Sequence, residues 1–80
     1  MSEITDIAKG LRNNQKDVRF KDLKKVCDHY FGEPRISGSH HIYKTPWKGD
    51  PRINIQKSGN KAKAYQVKQV LKAIDKLLAD

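Results

Sequence analysis

Residue patterning predicts an α+β protein, a three-stranded antiparallel sheet packed against helices in the order α-α-β-β-β-α. The two ends of the chain repeat apolar residues at helical spacing. Between them, residues 35–56 change to a β-branched, alternating texture broken by turn residues. The 80 residues make about one small domain, which excludes a doubly wound nucleotide-binding fold or an α/β barrel. The expectation is therefore one domain over residues 1–80, with residues 1–16 as an N-terminal helical extension.

Residues 2–13 place Ile4, Ile7, Ala8 and Leu11 on one helical face, with Ser2 as the N-cap and Asn13-Asn14 as the stop. Residues 18–31 form a stronger helix. Phe20, Leu23, Cys27, Tyr30 and Phe31 recur along one stripe, Asp17 can cap the start and Gly32 ends it. Cys27 lies within the stripe and reads as a small buried hydrophobe rather than a reactive thiol. His29 lies on another face and reads as a surface residue.

Pro34 blocks helix continuation. Arg35-Ile36-Ser37 is a short strand and Gly38-Ser39 a tight turn. His40 to Thr45 is a strand by its β-branched and aromatic content. Pro46 to Pro51 is a loop. Arg52-Ile53-Asn54-Ile55-Gln56 alternates, with Ile53 and Ile55 inward, and Lys57-Ser58-Gly59-Asn60 turns the chain. Val67, Val70, Leu71, Ile74, Leu77 and Leu78 then make one apolar helix face. Lys61, Lys68, Lys72 and Lys76 lie opposite when each residue advances about 100°.

Composition narrows the function. The chain carries 17 Lys+Arg against 9 Asp+Glu, a net charge of +8, which favours an anionic partner. The bias is regional. Residues 1–36 hold eight basic and six acidic side chains, residues 37–80 nine and three. Lysines on a solvated helix face need no partner, but helix propensity would accept glutamate equally well, and the last helix has none. Trp47 can stack on a base or cover the end of the core; a lone Trp in so small a domain is more often structural. No run of 18 apolar residues exists, and the opening residues Met1 to Asp6 are polar, unlike a signal peptide. A single cysteine makes no internal disulfide, so a cytoplasmic protein is expected. One Cys and three His, two of them adjacent, fall short of a structural zinc set. No metal and no cofactor is expected.

The local pattern with catalytic potential is Gly38-Ser39-His40-His41. Glycine permits a tight turn and leaves the backbone approachable. An imidazole titrates near neutrality and can move a proton in phosphodiester chemistry. RNA is cleaved when its 2′-hydroxyl attacks the adjacent phosphate, which asks for a base, cations and alignment. Strand alternation puts His40, Ile42 and Lys44 on one face and His41, Tyr43 and Thr45 on the other. Only one histidine can act on a given face, and the pattern leaves both open. Ser39 lacks partners at the spacing of a hydrolase triad, so a serine nucleophile is rejected.

The stretch Arg35-Ile36-Ser37-Gly38-Ser39-His40-His41-Ile42-Tyr43 resembles the motif of HicA-family toxins, the small mRNA interferases of bacterial toxin–antitoxin pairs. The resemblance spans about residues 17–78. It includes Asp17 to Leu23 before the motif, Arg52 to Gln56 after it, and Lys61 to Leu71, which is similar to one branch of the family. It implies a double-stranded-RNA-binding-domain-like fold, α-β-β-β-α, preceded here by the extra helix. It implies that His40, directly after Gly-Ser, is the catalytic residue. The implied activity is metal-independent cleavage of mRNA, blocking translation, and the implied partner is a HicB-type antitoxin that covers the active surface. Shorter members begin near the helix at 18–31, so residues 1–16 are an addition. Many members carry a proline- and histidine-containing stretch after the third strand, where this chain has Lys57 to Lys61.

The expected RNA-binding residues are Gly38, Ser39, Lys44, Lys61 and Lys68, the lysines chosen by charge and position. A monomer is expected before the antitoxin binds. The competing reading is a non-catalytic double-stranded RNA-binding module, which contacts phosphates and 2′-hydroxyls rather than bases and offers no reason for Gly38-Ser39-His40. A third, compatible reading is a basic surface for an acidic protein. A membrane-surface helix is disfavoured, because a domain this small needs the apolar face of residues 67–78 for its core.

Overall fold

The computed structural model describes residues 3–48 and 52–79. The expected Ser2 cap and the Gly49-Asp50-Pro51 part of the loop lie outside the described residues. The elements run α1 (Glu3–Asn13), α2 (Phe20–Phe31), β1 (Arg35–Ser37), β2 (His40–Lys44), β3 (Arg52–Ser58), β4 (Lys61–Ala62) and α3 (Ala64–Ala79). The class is α+β, as the patterning predicts. The strands form one antiparallel meander in the order β1-β2-β3-β4.

The sheet has four strands where three were expected. The turn assigned to residues 57–60 shrinks to Gly59-Asn60, with Gly59 at φ +63°, the positive φ that tight hairpins demand. β3 therefore continues to Ser58, and Lys61–Ala62 pair back on it through Lys57↔Ala62 and Ser58↔Lys61. Lys61 thus belongs to this strand and not to the lysine face of the last helix.

The same strand delays α2. Val18 and Arg19 were expected in the helix, but the Val18 carbonyl accepts the Ala62 N–H at 2.8 Å and Arg19 bridges Lys61. Arg19 is extended (φ −71°, ψ 137°) and becomes an N-cap whose side chain makes no cap hydrogen bond. The expected cap, Asp17, ion-pairs with Lys61 instead. Gly32 ends α2 as predicted. It sits at φ +84° and its N–H reaches the Asp28 carbonyl at 3.1 Å.

α2 and α3 cover one sheet face. Leu23, Val26 and Cys27 of α2 and Val67, Val70 and Ile74 of α3 close on Tyr43 and Ile55, all essentially inaccessible to water. Burial pushes the Cys27 thiol up to about 12, with Asp28 adding to the effect and Lys24 opposing it, so the thiol is not reactive near neutrality. α1 lies against both helices through Ala8 and Leu11, and its ends are tied by Glu3–Lys25 (2.8 Å) and Arg12–Asp75 (2.5 Å). The predicted apolar face of α3 is correct as far as Ile74. Leu77 is half-buried, but Leu78 is 64% exposed. Trp47 is half-buried at the opposite end of α2 from its start. Its ring is 6.5 Å from that of Phe31, edge-on, with Lys76 Nζ 4.6 Å from its centroid. That is the covering role rather than an exposed stacking platform.

Candidate active site

Among the described residues no helix covers the second face of the sheet. Pairing of Ser37 with His40 leaves Gly38-Ser39 as a two-residue hairpin loop, with Gly38 at φ +60°. His40 is therefore the first residue of β2, beside the turn. Register then decides its neighbours. His40 pairs with Gln56, Ile42 with Asn54 and Lys44 with Arg52, so these six side chains share the open face. The alternate positions, Tyr43, Ile53 and Ile55, are the buried ones.

His40 Nδ1 is 3.1 Å from Asn54 Oδ1. A carbonyl oxygen accepts, so Nδ1 donates in this contact and Nε2 is the ring nitrogen left outside it. Ser39 is held in turn. Gln56 Nε2 donates to Ser39 Oγ at 3.1 Å, and Lys63 Nζ donates to Gln56 Oε1 at 2.9 Å. The backbone N–H of Gln56 donates to Oε1 of the buried Gln66 at 2.7 Å, which pins β3 to α3 at this level. The start of β2 thus combines an imidazole, a hydroxyl, two amides and an ammonium group.

The two histidines separate as alternation requires. His41 faces the helices, with its ring 5.1 Å from that of Phe20 and a buried Nδ1 that lacks a hydrogen-bond partner. Burial, followed by the charge of Lys24, holds its pKa below the ordinary histidine value, while Asp28 opposes the shift. Below it, Tyr43 donates to Asp28 Oδ1 at 2.6 Å and Lys24 binds Asp28 Oδ2 at 2.7 Å. Burial, reinforced by that hydrogen bond, raises the Tyr43 phenol. This cluster serves the packing of α2 on the sheet.

The expected binding lysines are not gathered at one point. Lys44 shares the open face with His40 but stands four residues along β2, about 13 Å away. Lys61 lies two strands over in β4, its ammonium against the Asp17 carboxylate, whose pKa the contact lowers. Lys68 is exposed on α3, in the layer on the other side of the sheet. The cation that does reach the turn, Lys63, was not singled out by sequence reasoning, and neither were Asn54 and Gln56. Alternation along residues 52–56 showed the last two to be outward. Placing them beside His40 required the β2–β3 register.

Among the described residues no three His, Cys, Asp or Glu side chains converge to hold a metal ion, and no helix is long and apolar enough to cross a membrane. No protein-family model matches the chain, and comparison with curated proteins and with solved structures finds no significant match.

Proposed function

We propose that the chain is the toxin of a HicA-type toxin–antitoxin pair, a metal-independent endoribonuclease that cleaves mRNA in the cytoplasm and is neutralised by an acidic, HicB-type antitoxin. The observation that carries this reading is His40, on the open sheet face beside a Gly-Ser turn, with Nδ1 tied to Asn54 and, among the described residues, no protein donor engaging Nε2. Nε2 takes the proton of a ribose 2′-hydroxyl. The 2′-oxygen attacks the adjacent phosphorus, the bond to the 5′-oxygen of the next nucleotide breaks, and that oxygen leaves with a proton from the imidazolium. Lys63 and the exposed backbone at Gly38 and Ser39 stand where negative charge develops. The succession α2, β1, β2, β3, α3 supports a double-stranded-RNA-binding-domain-like arrangement, with α1 and β4 as additions.

The test is incubation of RNA with purified protein and excess chelator. His40→Ala should reduce cleavage by about 10²–10⁴-fold, while His41→Ala, which lies on the helix side, should retain it per folded molecule. Intact RNA with wild-type protein, or unchanged cleavage by His40→Ala, overturns the catalytic reading. Salt-sensitive binding without cleavage would instead identify a binding module.

A further inference from the structure

At the end of the sheet where β2 begins and β3 finishes, a concavity of ≈ 510 Å³ is lined by Arg19, Phe20, Lys21, Lys57, Asn60 and Lys61. Four of the six residues are cationic. Lys61 is occupied by Asp17, but among the described residues Arg19, Lys21 and Lys57 form no ion pair, and all three are exposed. The nearby acids do not face this hollow. Asp17 and Asp22 line the neighbouring one, on the α1 side of Arg19 and Lys61. The hollow also lies at the start of α2, whose N-cap side chain makes no cap hydrogen bond. The positive end of a helix normally attracts an acidic group. Asp22 of the first turn meets that preference on the side of the neighbouring hollow, and the present hollow is lined by three cations that form no ion pair among the described residues.

Such a cluster in a concave site repels itself, and a bound anion relieves that repulsion. Its position relates it to His40. Gln56 is the cross-strand partner of His40, and Lys57 follows Gln56 in β3. The hollow therefore lies around the end of the sheet from the imidazole, one residue further along the same strand. We propose that it is a phosphodiester-binding subsite, which grips the backbone of the RNA strand at a phosphate other than the one cleaved. Resting on the RNA reading above, this assigns the strand a path from the open face across the end of β2 and β3 to the start of α2. Arg19 can engage a phosphate through two N–H groups, with Lys21 and Lys57 as point charges. The subsite reads no base, so its contribution is the same for every sequence.

The test uses a single-stranded oligoribonucleotide with 2′-O-methyl groups throughout, which has no nucleophile and stays intact. Its affinity is measured by fluorescence anisotropy over a salt series. Lys21→Gln/Lys57→Gln is compared with Lys9→Gln/Lys16→Gln, which removes the same charge from exposed positions around α1. Each lost phosphate contact lowers the slope of log K against log salt by about 0.7. The first pair should therefore flatten the slope by about 1.4 and weaken low-salt binding by roughly tenfold or more, and the second should change neither. Equal effects from the two pairs, or no effect from the first, overturn the subsite. A flattened slope in the first pair together with full cleavage by His40→Ala would support the subsite and overturn the catalytic assignment. Failure of the wild-type protein to bind the oligomer overturns both.

Discussion

On the proposed reading His40 acts as a base only while its tautomer is held, and the Asn54 amide is what holds it. Asn54→Leu removes the acceptor at 3.1 Å and frees both ring tautomers. Cleavage turnover should fall by about one to two orders of magnitude with little change in KM, read in single-turnover assays at saturating RNA. His41 shows what the adjacent position does instead. Its pKa is lowered by burial and then by Lys24 from the ordinary 6.5, so the folded state binds a proton less readily than the unfolded chain. Stability should thus be complete above the unfolded value and decline as pH falls from about 6.5 towards the depressed folded value. Urea midpoints at pH 7.5, 6.5 and 5.5 measure this, and His41→Phe should flatten the dependence over that interval. Two neighbouring imidazoles of one strand have different surroundings for a single reason: the pleat turns one to the open face and the other to Phe20.

The secondary-structure elements show where local signals suffice. The stop of α2 was legible because Gly32 occupies φ +84°, ψ −156°, a region open almost only to glycine. Gly32→Ala should cost about 1–3 kcal/mol, measured by chemical denaturation, although a Cβ there would meet no atom within 4 Å. The penalty is conformational, not steric crowding. The start of α2 was misjudged by two residues for the complementary reason. Val18 and Asn60 offer carbonyls to Ala62 and Phe20 across a long sequence separation, and those hydrogen bonds outweigh a weak helical preference at residues 18 and 19. The two residues of β4 have no periodicity to detect. They are strand because Gly59 turns the chain tightly enough to pair them with β3.

For the molecule as a whole, the distribution of tasks follows the two faces of the sheet. The helix layer supplies stability and includes α1, whose attachment combines apolar burial with exposed ion pairs. Leu11 is 3% exposed, and Leu11→Ala should destabilise the fold by about 2–4 kcal/mol. Arg12→Ala should barely shift the thermal midpoint, because the Arg12–Asp75 pair is largely in water. Equal losses from the two variants would show that α1 is held by charge rather than by packing. The layering also separates the three lysines expected to hold RNA. Lys44, Lys61 and Lys68 are close in charge statistics but sit on the open face, the far edge and the helix layer.

Short-range information was enough for the α+β class, the helix faces, the end of α2, the inert Cys27 and the singling out of the Gly38-Ser39-His40-His41 turn. Each of these depends on residues within a few positions of one another, where steric limits, side-chain period and turn chemistry act directly. Putting His40 on the open face and His41 beneath the helices, placing Asn54, Gln56 and Lys63 around His40, the fourth strand and the hollow between Lys21 and Lys57 all depended on the pairing of β2 with β3 and of residues 18–20 with the β4 hairpin. Register is set by the summed packing of both helices on Tyr43, Ile53 and Ile55, a property of the assembled core that no local stretch of chain contains.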